Sequence, residues 1–295
     1  MLSKLEPSFS PKIWGGSKLS KIKNYEPIDL PLGETWEIST HLDGPSSIKN
    51  KSLDQLCHLS YLVKFIDTAD NLSIQVHPNN EYAKLHENSS GKTECWIILT
   101  AEKDSGIYLG FKPGVTKESF KETISNSVDV QNKLNFIPVA VGDFFYVPSG
   151  SIHAIGSGIT LCEIQQNSGV TYRVWDWNRT DSTGRSRELH LDKALDVINF
   201  NREFNLKLRE KKKIFEYLTP KRIVNHDDFK VDFIFLEKNE TKKINLKEKG
   251  SLVLLSGNLS INDEQFYDFD CGITLAEGPV YIVSNKKSRF LLIEK

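Results

Sequence analysis

Apolar residues along this chain come mainly in short runs, either continuous or alternating with polar residues, and turn-forming residues bound most runs. Such runs lie at residues 61–66, 95–101, 106–111, 144–148, 159–165, 231–237, 251–257, 280–284 and 289–294. Many short strands with regular turn signals are typical of a sandwich or barrel rather than of alternating βαβ units. The pattern predicts a mainly β protein.

Helical periodicity is limited to two segments. Residues 116–127, "TKESFKETISNS", start with Thr116 as an N-cap and place Glu118 in the first turn, where its charge favours a helix. Residues 190–200, "HLDKALDVINF", bring four apolar side chains to one helical face: Leu191, Ala194, Leu195 and Ile198. We therefore predict a few helices among many strands.

The order of these segments predicts two modules. A polar, lysine-rich interval over residues 201–213 separates the earlier strands from a second β-rich block. We predict a β-barrel domain with short helices over residues 1–205 and a second β-barrel domain over residues 214–295. The second block has no cluster of histidines or carboxylates, and its lone His226 lies in a turn-like context, "NHDDF". Chemistry is therefore expected in the first block.

Composition narrows the class of protein. The chain is 39% hydrophobic and 26% charged, with a formal net charge of −1, so it is an ordinary globular protein without a field to attract nucleic acid or an anionic membrane. Residues 1–16 lack the apolar core of a signal peptide, and no apolar run reaches the length of a membrane span. The four cysteines are scattered without a CxxC pair, which favours free thiols. We expect a cytoplasmic protein with no nucleic-acid or membrane partner.

One predicted strand carries an unusual row of polar side chains. Residues 72–77, "LSIQVH", alternate strictly, so Ser73, Gln75 and His77 point to one face of a strand that ends at Pro78. The i, i+2 spacing directs the amide of Gln75 and the imidazole of His77 toward one point. This row indicates a binding site on one face of the strand.

Three further segments place polar residues next to apolar strands. Glu94 precedes "CWIIL", His153 follows a Pro-x-Gly turn, and Glu163 and Arg173 lie in the segment after it. Each residue alone also fits an ordinary structural role, such as an ion pair between Arg173 and Asp176. Together, two imidazoles, one carboxylate and one amide offer the nitrogen and oxygen donors that suit a catalytic divalent metal.

The same segments resemble a known superfamily and one family within it. Gly142 and the sequence "PSGSIH" at 148–153 resemble the second cupin motif, a glycine followed after five residues by Pro-x-Gly-x-x-His. Gln75-Val76-His77 replaces the paired histidines of the first cupin motif, which is typical of type I mannose-6-phosphate isomerases. The resemblance covers about the first 200 residues, in the segments 12–16, 33–46, 62–96, 142–181 and 184–198.

The resemblance implies a fold and a reaction. The fold is a cupin (jelly-roll) β-barrel catalytic domain followed by a second cupin-like β domain. The reaction is the reversible interconversion of mannose 6-phosphate and fructose 6-phosphate through an enediol. The implied cofactor is one zinc ion per chain, with the ligands Gln75, His77, Glu94 and His153. The implied substrate- and phosphate-binding residues are Ser73, Lys64 and Lys92, and the implied catalytic residues are Arg173 and Glu163.

Three departures from the family pattern leave this set intact. Gly169 stands where an aspartate is frequent, Leu42 stands where a proline is usual, and the loop at 88–91 is about one residue short. None of these positions is an implied ligand. Any role of the carboxylate that is frequent at position 169 is absent from this chain.

Several alternatives stay open from the sequence. The base is either Glu163 or a zinc-bound water, and Glu163 could instead be a structural carboxylate. His77, Glu94 and His153 would also suit an iron oxygenase, although Gln75 and the cationic residues disfavour it. A sugar-phosphate-binding module without turnover is the third possibility, and it is disfavoured because every implied catalytic position is filled.

Overall fold

The computed structural model describes residues 2–126, 130–180 and 183–295. Within these ranges, the strands up to residue 213 are β1 (Leu2–Lys4), β2 (Ser8–Gly16), β3 (Leu32–Ile38), β4 (Ser47–Ile48), β5 (Lys51–Ser52), β6 (Tyr61–Asp67), β7 (Ile74–Val76), β8 (Glu94–Ala101), β9 (Gly106–Phe111), β10 (Leu134–Pro138), β11 (Asp143–Val147), β12 (His153–Ile155), β13 (Ile159–Gln166), β14 (Tyr172–Trp175) and β15 (Lys212–Lys213). Later strands are β16 (Lys221–Asn225), β17 (Lys230–Leu236), β18 (Thr241–Leu246), β19 (Ser251–Ser256), β20 (Asn258–Ile261), β21 (Glu264–Tyr267), β22 (Cys271–Thr274), β23 (Gly278–Ser284) and β24 (Ser288–Glu294). The helices are α1 (Lys18–Ile22), α2 (Asn80–Glu87), α3 (Lys117–Ser125), α4 (Leu191–Val197) and α5 (Arg202–Lys207), with 3₁₀ turns at Leu53–Gln55, Val130–Lys133 and Ile214–Glu216.

Two antiparallel sheets of the first block enclose an apolar core. The larger sheet has the order β15-β11-β8-β13-β6-β3-β2, and the smaller has the order β10-β9-β12-β7-β14. Trp96, Phe145 and Leu161 enter the core from the larger sheet, and Leu109 and Ile155 enter it from the smaller one. The predicted mainly β architecture is confirmed, and its two sheets form a barrel.

Both faces of the larger sheet are covered, which explains why its central strands have nearly continuous apolar sequences. On β8, Trp96 and Ile98 face the barrel interior. Cys95 and Ile97 face the other way, into a second apolar cluster that includes Phe233 of the second block. Alternate residues of β8 therefore pack into two different apolar cores.

The second block forms two sheets of its own. Their orders are β1-β22-β19-β24-β17-β16 and β18-β23-β20-β21. Strand β1 begins the described chain but pairs with β22, where Leu2 lies opposite Thr274. Side chains also connect the blocks, since the Tyr61 hydroxyl lies 2.6 Å from the hydroxyl of Ser251.

The helices agree with the predictions in part. In α3, Thr116 accepts a hydrogen bond from the backbone N–H of Ser119 as the expected N-cap, while residue 127 of the predicted segment lies outside the described residues. Helix α4 occupies the predicted second segment. The sequence interpretation missed three helices: α1, α2, which Asn79 caps immediately after Pro78, and α5, which lies within the lysine-rich interval. No helix in the described ranges is long and apolar enough to cross a membrane.

Candidate active site

Strand alternation places charged side chains on the barrel-facing side of the larger sheet. Trp96 and Leu161 lie in the barrel core, so Glu94 and Glu163, two positions away on the same strands, point the same way. Lys64 on β6 is paired in register with Glu163. All three charged residues are buried. Charges at this depth are stable only when they are paired or bound to a metal.

The smaller sheet brings two histidines to Glu94. His77 follows β7 and His153 opens β12. His77 Nε2 lies 3.3 Å from Glu94 Oε1, and His153 Nε2 lies 3.8 Å from Glu94 Oε2. Candidate ligand atoms of the three buried residues all lie within 4.8 Å of one another. Three donors that converge from different strands form a candidate metal centre.

The far ring nitrogens of both histidines have backbone partners that orient the rings. His77 Nδ1 lies 2.9 Å from the carbonyl oxygen of Val170, and His153 Nδ1 lies 3.0 Å from that of Ser151. A protonated Nδ1 donating to each carbonyl leaves Nε2 with a lone pair toward Glu94. Burial lowers the pKa of His153 to about 3 and also lowers the pKa of His77. Both imidazoles are therefore neutral at pH 7, which is the form that binds metals.

Gln75 lies beside this cluster as the sequence predicts. It is paired with His153 across β7 and β12, and its Nε2 lies 3.4 Å from His153 Nε2. A half-turn of the amide exchanges its nitrogen and oxygen, which places an oxygen donor at the same point. The four expected ligands are thus adjacent.

The charges of the cluster fit a bound cation. Glu94 Oε2 is buried and has no hydrogen-bond partner among the described residues. Lys92 Nζ lies 2.5 Å from Glu94 Oε1 and 3.3 Å from His77 Nε2. Burial alone would raise the pKa of Glu94, but Lys92, His77 and His153 together outweigh the effect of burial and hold that pKa well below its ordinary value. An ionised carboxylate with an unsatisfied oxygen, next to two neutral imidazoles, is a donor set that a divalent metal would complete.

A cavity of about 380 Å³ opens in front of the cluster. Its lining includes the predicted substrate-site residues and one predicted ligand: Lys64, Ser73, Gln75, Lys92, Glu163 and Arg173. These residues come from five different segments of the chain, and the barrel brings them to one space. The cavity is a candidate substrate pocket.

Glu163 has the environment of a proton acceptor. Its Oε1 accepts a hydrogen bond of 2.9 Å from the indole of Trp96, and its Oε2 lies 3.9 Å from Lys64 Nζ. Burial, together with the negative charge of Glu94, raises the pKa of Glu163 to about 7 despite the nearby lysines. A carboxyl group with this pKa exchanges protons readily near neutral pH.

Two residues that the sequence interpretation missed position Lys64. Its ammonium lies 3.6 Å from Glu34 Oε2 and 4.4 Å from the centre of the Trp36 indole ring. Glu34 in turn accepts a 2.8 Å hydrogen bond from Trp36 Nε1. The segment "GETWEI" alternates like a strand with one exposed face. The one signal in the sequence that could have indicated a binding site here is a tryptophan with a glutamate close to it on each side.

Arg173 lies next to Gln75 across β7 and β14. Its Nη1 donates a 2.8 Å hydrogen bond to the carbonyl of Glu188. Asp176 is bound instead by Arg179 and Arg187, at 2.5 Å each. In the described part of the chain Arg173 is therefore not a direct ion-pair partner of Asp176, although the charge of Asp176 still acts to raise the pKa of Arg173.

Other lining residues were also missed by the sequence interpretation. Lys12, Trp14 and Arg187 lie in the cavity wall. Lys12 and Trp14 belong to the segment "KIWGG" (residues 12–16), and Arg187 lies in "GRSRELH". Neither segment has a polar and apolar pattern that indicates which way these side chains point. Gly169 also lines the cavity, and a Cβ atom there would lie 3.3 Å from His41 Nε2.

Comparison with known proteins places the chain among sugar-phosphate isomerases. No protein-family model matches the sequence. The chain is 43% identical over 213 residues to the probable mannose-6-phosphate isomerase GmuF of Bacillus subtilis, covering 66% of this chain and 67% of that protein. It is 40% identical over 219 residues to mannose-6-phosphate isomerase of Streptococcus mutans, covering 68% and 69% of the two chains.

The fold comparison extends this similarity over the whole chain. The crystal structure of mannose 6-phosphate isomerase from Bacillus subtilis superposes with a TM-score of 0.84 at 28% identity, covering 100% of this chain and 99% of that one. The similarity of fold therefore includes the second block. By sequence and by its cupin-type fold, the chain belongs to the mannose-6-phosphate isomerase family.

Proposed function

We propose that this protein is a zinc-dependent isomerase that interconverts D-mannose 6-phosphate and D-fructose 6-phosphate. The named activity of its relatives supports the reaction. The structural observation that carries the proposal is the position of Glu163. This buried residue lines a cavity beside the cluster of His77, Glu94 and His153, and its pKa is raised to about 7.

The chemical difficulty of this reaction is the removal of a proton from a carbon next to a carbonyl group. Toward the ketose, a base takes the proton from carbon 2 while the carbonyl oxygen on carbon 1 gains negative charge. The hydroxyl proton on the carbon 2 oxygen moves to the carbon 1 oxygen, and the base returns its proton to carbon 1 as carbon 2 becomes the carbonyl. A positioned base typically contributes about 10²- to 10⁴-fold. The protein must therefore provide a base near both carbons and positive charge near both oxygens.

Glu163 is the base in this proposal. Trp96 holds one of its oxygens by a hydrogen bond of 2.9 Å, which leaves the other oxygen toward Lys64 and the cavity. At neutral pH, a carboxyl group with a pKa of about 7 is deprotonated in a large fraction of the molecules. It is also a stronger base than an ordinary carboxylate, so it removes the proton from carbon more readily.

The expected metal ligands are Gln75, His77, Glu94 and His153. Nitrogen and oxygen donors from two imidazoles, one carboxylate and one amide suit zinc, and one set per chain implies one ion. When bound, zinc supplies Lewis-acid stabilisation of the negative charge that develops on the substrate oxygens.

The remaining lining residues bind and orient the sugar. We propose that Lys64 and Lys92, whose ammonium groups lie at the buried end, face the reacting oxygens and hydroxyl groups. Ser73 lies two residues before Gln75 on the same strand face and offers a hydroxyl toward the cavity. Arg173 lies beside Gln75 and adds positive charge near the enediolate.

We also propose a cytoplasmic location and two domains. The four cysteines, Cys57, Cys95, Cys162 and Cys271, are free thiols, as a reducing compartment favours. The proposed catalytic domain is the block over residues 1–205, and the second domain covers residues 214–295. Strand β1 is an exception to that division because it pairs with β22.

An assay that detects each alternative product tests the proposed function. Protein loaded separately with zinc and with iron(II) is incubated with mannose 6-phosphate, fructose 6-phosphate is measured by a coupled enzyme, and oxygen uptake is recorded in the same vessels. We expect the ketose to form without oxygen consumption. Oxygen uptake would indicate the oxygenase, and neither product in a protein that binds the sugar phosphate would indicate a binding module.

A further inference from the structure

The two imidazoles of the candidate metal centre are oriented in different ways. His153 Nδ1 faces the carbonyl oxygen of Ser151, only two residues away, at 3.0 Å. The acceptor for His77 Nδ1 is the carbonyl oxygen of Val170, which lies 93 residues away in the chain, at 2.9 Å. A contact between such distant residues persists only where the tertiary structure fixes both groups. The orientation of His77 therefore depends on what fixes the backbone at Val170.

Val170 lies in the connection between β13 and β14, where the backbone has few supports. Among the described residues, the last backbone hydrogen bond to another segment before Val170 is donated by the N–H of Asn167 to the carbonyl of Ser60, at 2.9 Å. Gly169 contributes no side chain, and the N–H of Val170 donates a long hydrogen bond of 3.3 Å to Ser168 Oγ. The backbone between Asn167 and Val170 thus needs a further support.

Gln165 provides this support from the end of β13. It is fully buried and points to the same face of the strand as Glu163. Its Nε2 donates hydrogen bonds to the carbonyl oxygens of Gln166 at 3.0 Å and of Ser168 at 2.8 Å. The opposite amide orientation would place an oxygen against two carbonyl oxygens, so the contacts define which atom is the nitrogen. The two bonds fix the peptide group that joins Ser168 to Gly169.

The other contacts of Gln165 indicate that it acts through this backbone rather than on a substrate. Gln165 does not line the cavity. Its Oε1 is buried and has no hydrogen-bond partner in the part of the chain that the structure describes. Burial of an amide with an unpaired oxygen is unfavourable. The benefit of a glutamine at this position must therefore come from the two carbonyl groups that it fixes.

We propose that Gln165 is a positioning residue that holds the backbone leading to Val170, so that the Val170 carbonyl orients His77 and raises the affinity of the site for zinc. The path runs from the Gln165 amide to the Ser168 carbonyl, then through Gly169 to Val170 and His77. Residues that orient metal-binding histidines typically change metal affinity by about 10- to 100-fold. The inference rests on the proposed function for the role of His77 as a zinc ligand.

The test uses Gln165→Met, which nearly keeps the side-chain volume and removes the two donated hydrogen bonds. The matched control is Asn205→Leu, which removes a buried amide of α5 that also donates to two backbone carbonyls, at 2.9 and 2.8 Å. Solvent exchange of the histidine Nδ1 protons is measured by NMR on the metal-free protein, and the zinc Kd is measured against a competing chelator.

We expect Gln165→Met to accelerate exchange of the His77 ring proton about 5- to 10-fold, as the loss of one ordinary hydrogen bond would. The zinc Kd should rise about 10- to 100-fold. The His153 ring proton is an internal control and should exchange at the wild-type rate, because its acceptor Ser151 does not depend on Gln165. Asn205→Leu should leave the exchange rates and the zinc Kd near their wild-type values.

Ser168→Ala is a milder variant on the same path. It removes the Oγ that accepts from the N–H of Val170 and donates to the carbonyl of Ser90 at 2.8 Å. This variant should fold and change both quantities in the same direction by a smaller factor.

Two results would overturn the inference. One is an unchanged His77 exchange rate and zinc Kd in both folded variants, since packing of the Val170 side chain alone would then hold its carbonyl. The other is equal acceleration at His77 and His153, which would indicate general loosening of the fold. Wild-type zinc affinity in His77→Ala would instead contradict the ligand set of the proposed function, while the exchange of the His77 ring proton would still test the positioning role.

Discussion

Burial of Glu163 lowers the stability of the folded protein but gives this carboxyl group a pKa that suits proton transfer. The unfolded chain would ionise this carboxyl at its ordinary pKa, whereas burial in the folded protein raises its pKa to about 7. The folded state therefore holds a proton that the unfolded state releases, and Glu163 lowers the stability of the fold as pH rises from about 4.5 through 7. A group that destabilises the fold at working pH is common at functional sites.

Glu163→Gln tests the role of this carboxyl group. Glutamine keeps the hydrogen bond to Trp96 but cannot accept the substrate proton, so turnover should fall about 10²- to 10⁴-fold. Bound zinc should remain at the wild-type level because Glu163 is not a proposed ligand. At pH 8 the variant should melt no lower than the wild type, because its side chain carries no charge.

The pH profile provides the matching control. Because the base must be deprotonated, wild-type kcat/KM should rise with pH and level off above the pKa of Glu163, which is about 7 in the protein without metal and lower beside a bound cation. Residual Glu163→Gln activity should lose this dependence. Normal turnover in the variant would assign Glu163 to a structural role.

At the scale of elements, three strands and one loop position the donors. Strand β8 provides Glu94, β12 provides His153, and His77 follows β7 immediately. Because β7 pairs with β12, Gln75 and His153 lie directly opposite each other. Donors on rigid strands keep their geometry better than donors on loops.

His153→Ala should separate the metal site from the fold. Loss of one imidazole from the four-ligand set should reduce zinc affinity and activity together, while the strands keep their apolar cores. The control is His226→Ala, since His226 lies in a turn of the second block and accepts a hydrogen bond from the N–H of Asp228. Metal content, turnover and circular dichroism are measured on both variants.

Full zinc content and turnover in His153→Ala would contradict the ligand assignment. Loss of zinc in both variants would point to a general effect on folding. We expect only the first variant to lose metal.

The positions of some site residues could be predicted from the sequence because side chains alternate along a strand. The side chains of Gln75 and His77 share a direction because a strand repeats every two residues, and the Pro-x-Gly turn sets the start of β12. Arg187 could not be predicted, since it reaches the cavity from a segment between β14 and α4 whose path depends on Asp176. The buried position of Glu34 likewise depends on Trp36 and Lys64, which only tertiary packing brings together.

At the scale of the whole molecule, the second block packs against the outer face of the catalytic sheet. Phe65 and Ile97 of the first block share one apolar cluster with Phe233 and Leu291 of the second. Gln166 also donates a 2.6 Å hydrogen bond to Asp228. The strands that carry Lys64, Glu94 and Glu163 are thus packed on both faces, which limits their movement at the site.

This arrangement also explains the apolar sequences of β6, β8 and β13. One set of alternate residues packs in the barrel and the other set packs against the second block. The polar residues of the barrel side are the exceptions, and they cluster where the cavity and the candidate metal centre lie.

A metal titration tests this account most directly. Metal is removed from the wild-type protein with a chelator, zinc is added back in fractions of an equivalent, and isomerisation of mannose 6-phosphate and bound zinc are measured in the same samples. The account predicts no turnover without metal and a linear rise that saturates at one zinc per chain. Full turnover in metal-free protein would contradict it.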